Sequence, residues 1–198
     1  NPADVRRHGE LVYAEYCRRM EEAVRKYDSD TNIFHNAGNV ARGRRDLAFR
    51  NTHLELESLP TGGWGYDHFP MSAAYVRTLG MDYLGMTGKF HTTWGEFGGF
   101  KRPNALRYEA ALSLAFGAKC SIGDQLHPRG RMNIATYRLI GSAYSYVESV
   151  EKYYEGAVPV ADVAILSGVP GSSGESDTGA SRILLEGKYL YDIVDADA

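Results

Sequence analysis

A strictly alternating stretch, Thr52-His53-Leu54-Glu55-Leu56-Glu57, puts two acidic side chains and an imidazole on one side of the chain. Successive side chains of a strand point to opposite faces, so Leu54 and Leu56 turn toward covering helices while His53, Glu55 and Glu57 turn the other way. A parallel strand is usually covered on both faces, which aims these carboxylates into a pocket rather than open water. Carboxylates crowded in such a place repel, the arrangement that keeps one of them protonated as a general acid must be. Glu57, nearer the following loop, is the expected acid, with Glu55 as its alternate.

Two aromatic loops follow at similar places in the pattern. Pro60-Thr61-Gly62-Gly63-Trp64-Gly65-Tyr66-Asp67-His68 comes after the alternating strand. Thr87-Gly88-Lys89-Phe90-His91-Thr92-Thr93-Trp94-Gly95-Glu96-Phe97-Gly98-Gly99-Phe100 comes after the next one. The chain has only two Trp, and both sit in these glycine-flanked loops. Trp and Tyr beside His, Asp and Glu suit a sugar, whose ring offers an apolar C–H face to stack and hydroxyls to hydrogen-bond. Five of the six His, namely His35, His53, His68, His91 and His127, fall on or just after strand candidates, which points to a polar pocket. Expected ligand-binding residues are His35, His53, Trp64, His91, Trp94, Glu96, Asp124 and His127. Asp124 and His127 have poor spacing for a metal, and neither a metal nor a cofactor is expected.

The elements that must position these groups follow from periodicity. Apolar residues recur at helical spacing over residues 10–27, and short strands are expected at 32–36, 52–57, 81–86 and 118–123. Helices are expected at 72–79, from Pro103 to 116, and at 134–154. Strand and helix thus alternate as in βα units feeding a parallel sheet. Four such units in about 157 residues make half of a closed eight-unit barrel, which takes roughly 250 residues; a small open sheet is the other possibility. After Gly156 the pattern restarts with a strand at 160–166, a Gly/Ser loop from Gly168 to Gly179 and a helix at 180–191. That loop lacks the Lys and Ser/Thr ending of a phosphate-binding P-loop and reads as a connector.

Composition limits the alternatives. With 22 Lys+Arg against 25 Asp+Glu, a net charge of -3 leaves no positive surplus to hold nucleic acid. No apolar run approaches the roughly 20 residues of a membrane span, and residues 1–4 do not begin an export signal, so neither a membrane nor a nucleic-acid partner is expected. Cys17 and Cys120 read as two unpaired thiols of a cytoplasmic protein.

The longest motifs resemble a known family. His53 to Tyr66, Met86 to Gly99 and Gly123-Asp124-Gln125-Leu126-His127-Pro128 are similar to bacterial glycoside hydrolases catalogued as hypothetical glycosyl hydrolase six, associated with the α-L-fucosidases of glycoside hydrolase family 151. The resemblance implies strands five to eight, the C-terminal half, of a (β/α)8 barrel over residues 1–157. The tail, 158–198, looks like the first βα unit of the flavodoxin-like trimerisation domain of family 42 β-galactosidases, implying a homotrimer for the full-length protein. It also implies a retaining exo-glycosidase acting on α-L-fucosides. The nucleophilic Asp would belong to strand four, before Asn1, so Glu57 or Glu55 would be the acid/base and the isolated chain would be inactive. Where β-galactosidases carry their nucleophilic Glu, this chain has Leu84-Gly85-Met86-Thr87-Gly88, with no carboxylate. Two rivals remain: a β-galactosidase-like enzyme with Glu96 as displaced nucleophile, and a non-catalytic carbohydrate-binding or assembly module.

Overall fold

A computed structural model describes residues 1–167 and 174–196. The chain opens with α1 (Pro2–Arg25), started by Asn1, whose side chain accepts from the Ala3 and Asp4 amides while Asp4 reaches back to the N-terminus. Ion pairs of Glu15 with Arg18 and Arg19, and of Arg18 with Glu22, line its exposed side; Cys17 is its one buried residue. After the short α2 (Arg45–Ala48), three strands run parallel in the order β1 (Leu54–Glu57), β2 (Tyr83–Gly88) and β3 (Lys119–Gly123). The helices α3 (His68–Val76) and α4 (Pro103–Ala115) connect them, and α5 (Ile134–Val150) follows. A separate two-stranded parallel sheet joins β4 (Val163–Leu166) to β5 (Tyr191–Val194) through α6 (Glu175–Glu186).

The half-barrel expectation is overturned: the described residues form two small parallel sheets, of three and two strands, in an α/β fold, and not four strands of a (β/α)8 barrel followed by a first flavodoxin-like βα unit. The missing strand is residues 32–36. There the amides of Ile33 and His35 donate to the side-chain oxygens of Thr52 (2.8 Å) and Asn51 (2.7 Å). Side chains thus take the donors that a ladder would need, leaving a single backbone bond from Thr52 N to Ile33 O. The fifth strand, β5, comes where the helical pattern had been extended to 191, because α6 begins earlier, at Glu175, and ends at Glu186. The Gly168 to Gly179 connector lies, for residues 168–173, outside the described residues.

α3 explains how the two sheets hold together. Phe69, Pro70, Ala73, Ala74, Tyr75 and Val76 are all buried, so the helix is apolar nearly all round. Such a helix needs cover on more than one side. It has β1 and β2 on one side and Tyr191 and Ile193 of β5 on another, in one cluster with Leu54, Leu56, Leu79 and Tyr83. Gly85 lets the layers close up, since a Cβ there would stand 2.4 Å from Ser113 Oγ and 2.8 Å from Phe69. A second cluster, Leu106, Ala110, Ile140 and Ala143, joins α4 to α5.

Around this core, four arginine–aspartate pairs cross between residues 42–77 and residues 177–195. Arg42 meets Asp177 at 3.4 Å, Arg45 meets Asp195 at 2.9 Å, Arg77 meets Asp192, and Asp67 meets Arg182 at 2.6 Å. Asp195 also accepts from the Tyr75 hydroxyl at 2.7 Å.

Candidate active site

β1 has the two-faced pattern expected of it: Leu54 and Leu56 are buried, Glu55 and Glu57 half-buried. The parallel register aligns Glu55 with Leu84 and Lys119, and Glu57 with Met86 and Ser121. Most of that face is partly open, in contrast to the helix-covered side. Glu57 Oε1 accepts from the Asn36 side-chain amide at 2.8 Å, and Glu55 Oε1 lies 3.0 Å from His53 Nε2. The Phe34 ring packs at 5.7 Å from the His53 ring. His53 precedes β1 and so belongs to the amino end of the strand, whereas Glu57 stands at its carboxyl end.

The aromatic loops meet beyond the carboxyl ends of the strands. Trp64 and Trp94 stack with ring centroids 6.4 Å apart and planes 19° from parallel, each between a third and two-fifths exposed. Beneath Trp94 lies buried Phe90, at 5.6 Å. Gly62 permits the approach of the two loops, because a Cβ there would stand 2.9 Å from the Thr92 carbonyl oxygen. The loop after β3 joins them: the His127 ring lies 6.4 Å from that of Phe97, and Trp94 lies over Gly123.

Two charged residues wire the second loop from within. Glu96 Oε1 accepts from the amides of His91 (2.6 Å), Thr92 (2.6 Å) and Thr93 (3.4 Å). These bonds, that of Thr92 foremost, hold its carboxyl below the usual range. Lys89, 2% exposed, donates from Nζ to the carbonyls of Glu96 (2.9 Å), Phe97 (2.7 Å) and Gly99 (3.1 Å), with its ammonium 4.7 Å from the Phe100 ring centre. The Lys101 amide closes the neck of the loop on the Lys89 carbonyl at 2.8 Å. Lys89→Met is expected to cost about 1–3 kcal/mol by stranding those carbonyls. Urea unfolding would measure the loss, and limited proteolysis would report cleavage within residues 91–100; a loop as resistant as before would mean that Glu96 alone secures it.

Under this loop is an ionic cluster that no sequence pattern signalled. Lys101 pairs with Glu109 Oε2 and donates to Thr87 Oγ1 at 2.7 Å, while Thr87 Oγ1 donates to the same carboxylate oxygen at 2.5 Å. All three residues are buried, and the Tyr66 hydroxyl lies beside the Glu109 carboxylate; burial and that carboxylate together hold its phenol above the ordinary range.

The remaining expected residues have diverse surroundings. His35 is buried against Tyr16 and accepts the Tyr13 hydroxyl at its carbonyl; burial pulls its imidazole below the ordinary range. Its neighbour Asn36, and not His35 itself, reaches Glu57. His91 is exposed, its Nδ1 3.1 Å from Thr92 Oγ1. Asp124 Oδ1 accepts from the Gln125 amide at 2.7 Å, and His127 Nδ1 from the Arg129 amide at 3.2 Å. Structure therefore brings Trp64, Trp94 and the His127 loop into one aromatic wall and sets Glu55 and Glu57 on β1, with His53 just before it. Asn36 and His68 complete that surface and buried Lys89 supports it from within, none of them having been expected; only the histidine clustering hinted at one of them.

No family model matches the chain, and no curated protein does. Among solved structures it is similar to α-L-fucosidase isoenzyme 2 from Paenibacillus thiaminolyticus, with a TM-score of 0.93 and 57% sequence identity over 100% of this chain. The chain spans 31% of the length of that protein. The likeness to that fucosidase thus holds in both sequence and fold.

Proposed function

We propose that this chain, folded over its whole length like one stretch of an α-L-fucosidase, forms part of a retaining exo-glycosidase that hydrolyses α-L-fucosides. The observation that carries the proposal is that Glu55 and Glu57 share the open face of β1, the strand that leads at its carboxyl end into the loop of the stacked, exposed Trp64. Retaining hydrolysis uses two carboxyl groups: one attacks the anomeric carbon, the other protonates the departing oxygen and then takes a proton from water. Glu57 is the acid/base. Asn36 holds it only at Oε1, through a neutral amide, leaving Oε2 free to carry the transferable proton. Glu55 shares its Oε1 with His53 and is the alternate. The attacking carboxylate comes from residues outside these 198. Trp64 and Trp94 stack on the C–H face of the sugar, with His91, Asp124 and His127 near its hydroxyls.

In the galactosidase reading Glu96 would attack, whereas three amides of its own loop bond its Oε1 and commit the side chain to holding that loop in shape. The test is a hybrid in which this chain replaces the matching stretch of the Paenibacillus enzyme. The hybrid is expected to hydrolyse an aryl α-L-fucoside and to ignore an aryl β-D-galactoside, while the chain alone turns over neither. Preference for the galactoside, or fucoside turnover by the chain alone, would overturn the assignment.

A further inference from the structure

Trp64 lies between Gly63 and Gly65, both at positive φ, +87° and +82°. Its flanking backbone therefore offers little restraint, and ring contacts must decide how the indole is set. One contact is Trp94; the other is His68, edge-on at 5.1 Å and 70°. His68 is itself fixed from two directions. Its Nδ1 lies 3.2 Å from the hydroxyl of buried Ser58, the residue directly after Glu57. Its backbone is held by the turn before α3, where the His68 amide donates to the Gly65 carbonyl at 3.4 Å. In that turn Asp67, at the N-cap position, accepts from Arg182 of α6 at 2.6 and 3.2 Å. Gly65 is required there, since a Cβ would stand 2.5 Å from Asp67 Oδ1. Burial lowers the His68 imidazole below its ordinary range, favouring a neutral ring against the indole.

We infer that His68 is a positioning residue: anchored by Ser58 at its ring and by the Asp67–Arg182 pair at its backbone, it sets the tilt of Trp64 against Trp94. The use made of that tilt, a platform for the apolar face of a sugar, rests on the proposed glycosidase function; the positioning itself does not. His68 touches the indole and not the substrate.

The chain has no Trp beyond this pair, so the indole–indole exciton couplet in far-ultraviolet circular dichroism, taken as the difference from Trp94→Phe, is dominated by their geometry. His68→Ala is expected to remove most of the couplet while unfolding remains cooperative. His68→Phe, which keeps a ring edge against Trp64, retains more of it than His68→Ala does, and Arg182→Leu reduces it to a lesser extent. An undiminished couplet in His68→Ala would overturn the inference. Should that variant not fold, equal and undiminished couplets in His68→Phe and Arg182→Leu would overturn it equally. Methyl α-L-fucoside, titrated by Trp fluorescence, is expected to bind His68→Ala about tenfold more weakly than the parent chain, or 1.4 kcal/mol. Absence of binding to the parent chain would count against the glycosidase proposal and leave the couplet to decide the role of His68.

Discussion

Glu57→Gln, introduced into the hybrid enzyme, is expected to lower kcat by about 10²–10⁴-fold on a fucoside with a poor leaving group, the usual contribution of a general acid. The substitution is nearly isosteric and leaves an oxygen for the Asn36 amide to bond, so the loss reports the missing proton and not a collapsed strand. An activated aryl fucoside, whose leaving group departs with little protonation, should suffer far less in the first step. The basic limb of the pH–rate profile, which marks loss of the acid proton, should disappear with the substitution. Glu55→Gln provides the comparison: it disturbs the contact with His53 and is expected to have the smaller effect. Unchanged turnover in both variants would remove the β1 carboxylates from the chemistry.

The largest expected effect on stability concerns Lys101. Lys101→Met should cost about 3–5 kcal/mol, because it leaves the buried carboxylate of Glu109 without its counter-charge. Only neutral groups would then face that carboxylate, Thr87 at Oε2 and the nearby Tyr66 hydroxyl. Burial draws the Lys101 ammonium below its usual range even though Glu109 opposes the shift, a sign of how much desolvation the pair carries. Removing both charges, in Lys101→Met with Glu109→Leu, should restore most of the loss, as replacing a buried ion pair with packed apolar groups often does. Urea unfolding of the two single variants and the double variant yields the coupling directly. A Lys101→Met variant within about 1 kcal/mol of the parent would mean that water reaches the carboxylate.

What could be read from sequence was what depends on local period. The alternation at residues 53–57, the proline start of α4 and the short strand at 119–123 all survive in three dimensions, because strand and helix patterns were set there by neighbours within a few positions. Residues 32–36 carried a similar apolar pattern and made no strand, since Thr52 and Asn51, nearly twenty positions away, capture their amides through side-chain oxygens. That single substitution of side chain for backbone removed the fourth strand, and with it the arithmetic of half a barrel. β5 went unseen because Tyr191–Val194 is four residues long and only four residues separate it from the end of α6. At the candidate site, residue types revealed the two indoles and the paired carboxylates. The parts that hold them still, Asn36 on Glu57, Lys89 in the loop and Lys101 against Glu109, depend on contacts for which no spacing rule exists.

The ion pairs between residues 42–77 and 177–195 give the join a key and a lock. Three arginines lie on one side and three aspartates opposite, but the fourth pair, Asp67 with Arg182, is reversed. A slipped or inverted fit of β4, α6 and β5 would push at least one pair of like charges together, and such mismatches are costly enough to reject a wrong alignment. Charge thus favours a single orientation of β4, α6 and β5 against α3, the one in which all four arginines meet aspartates.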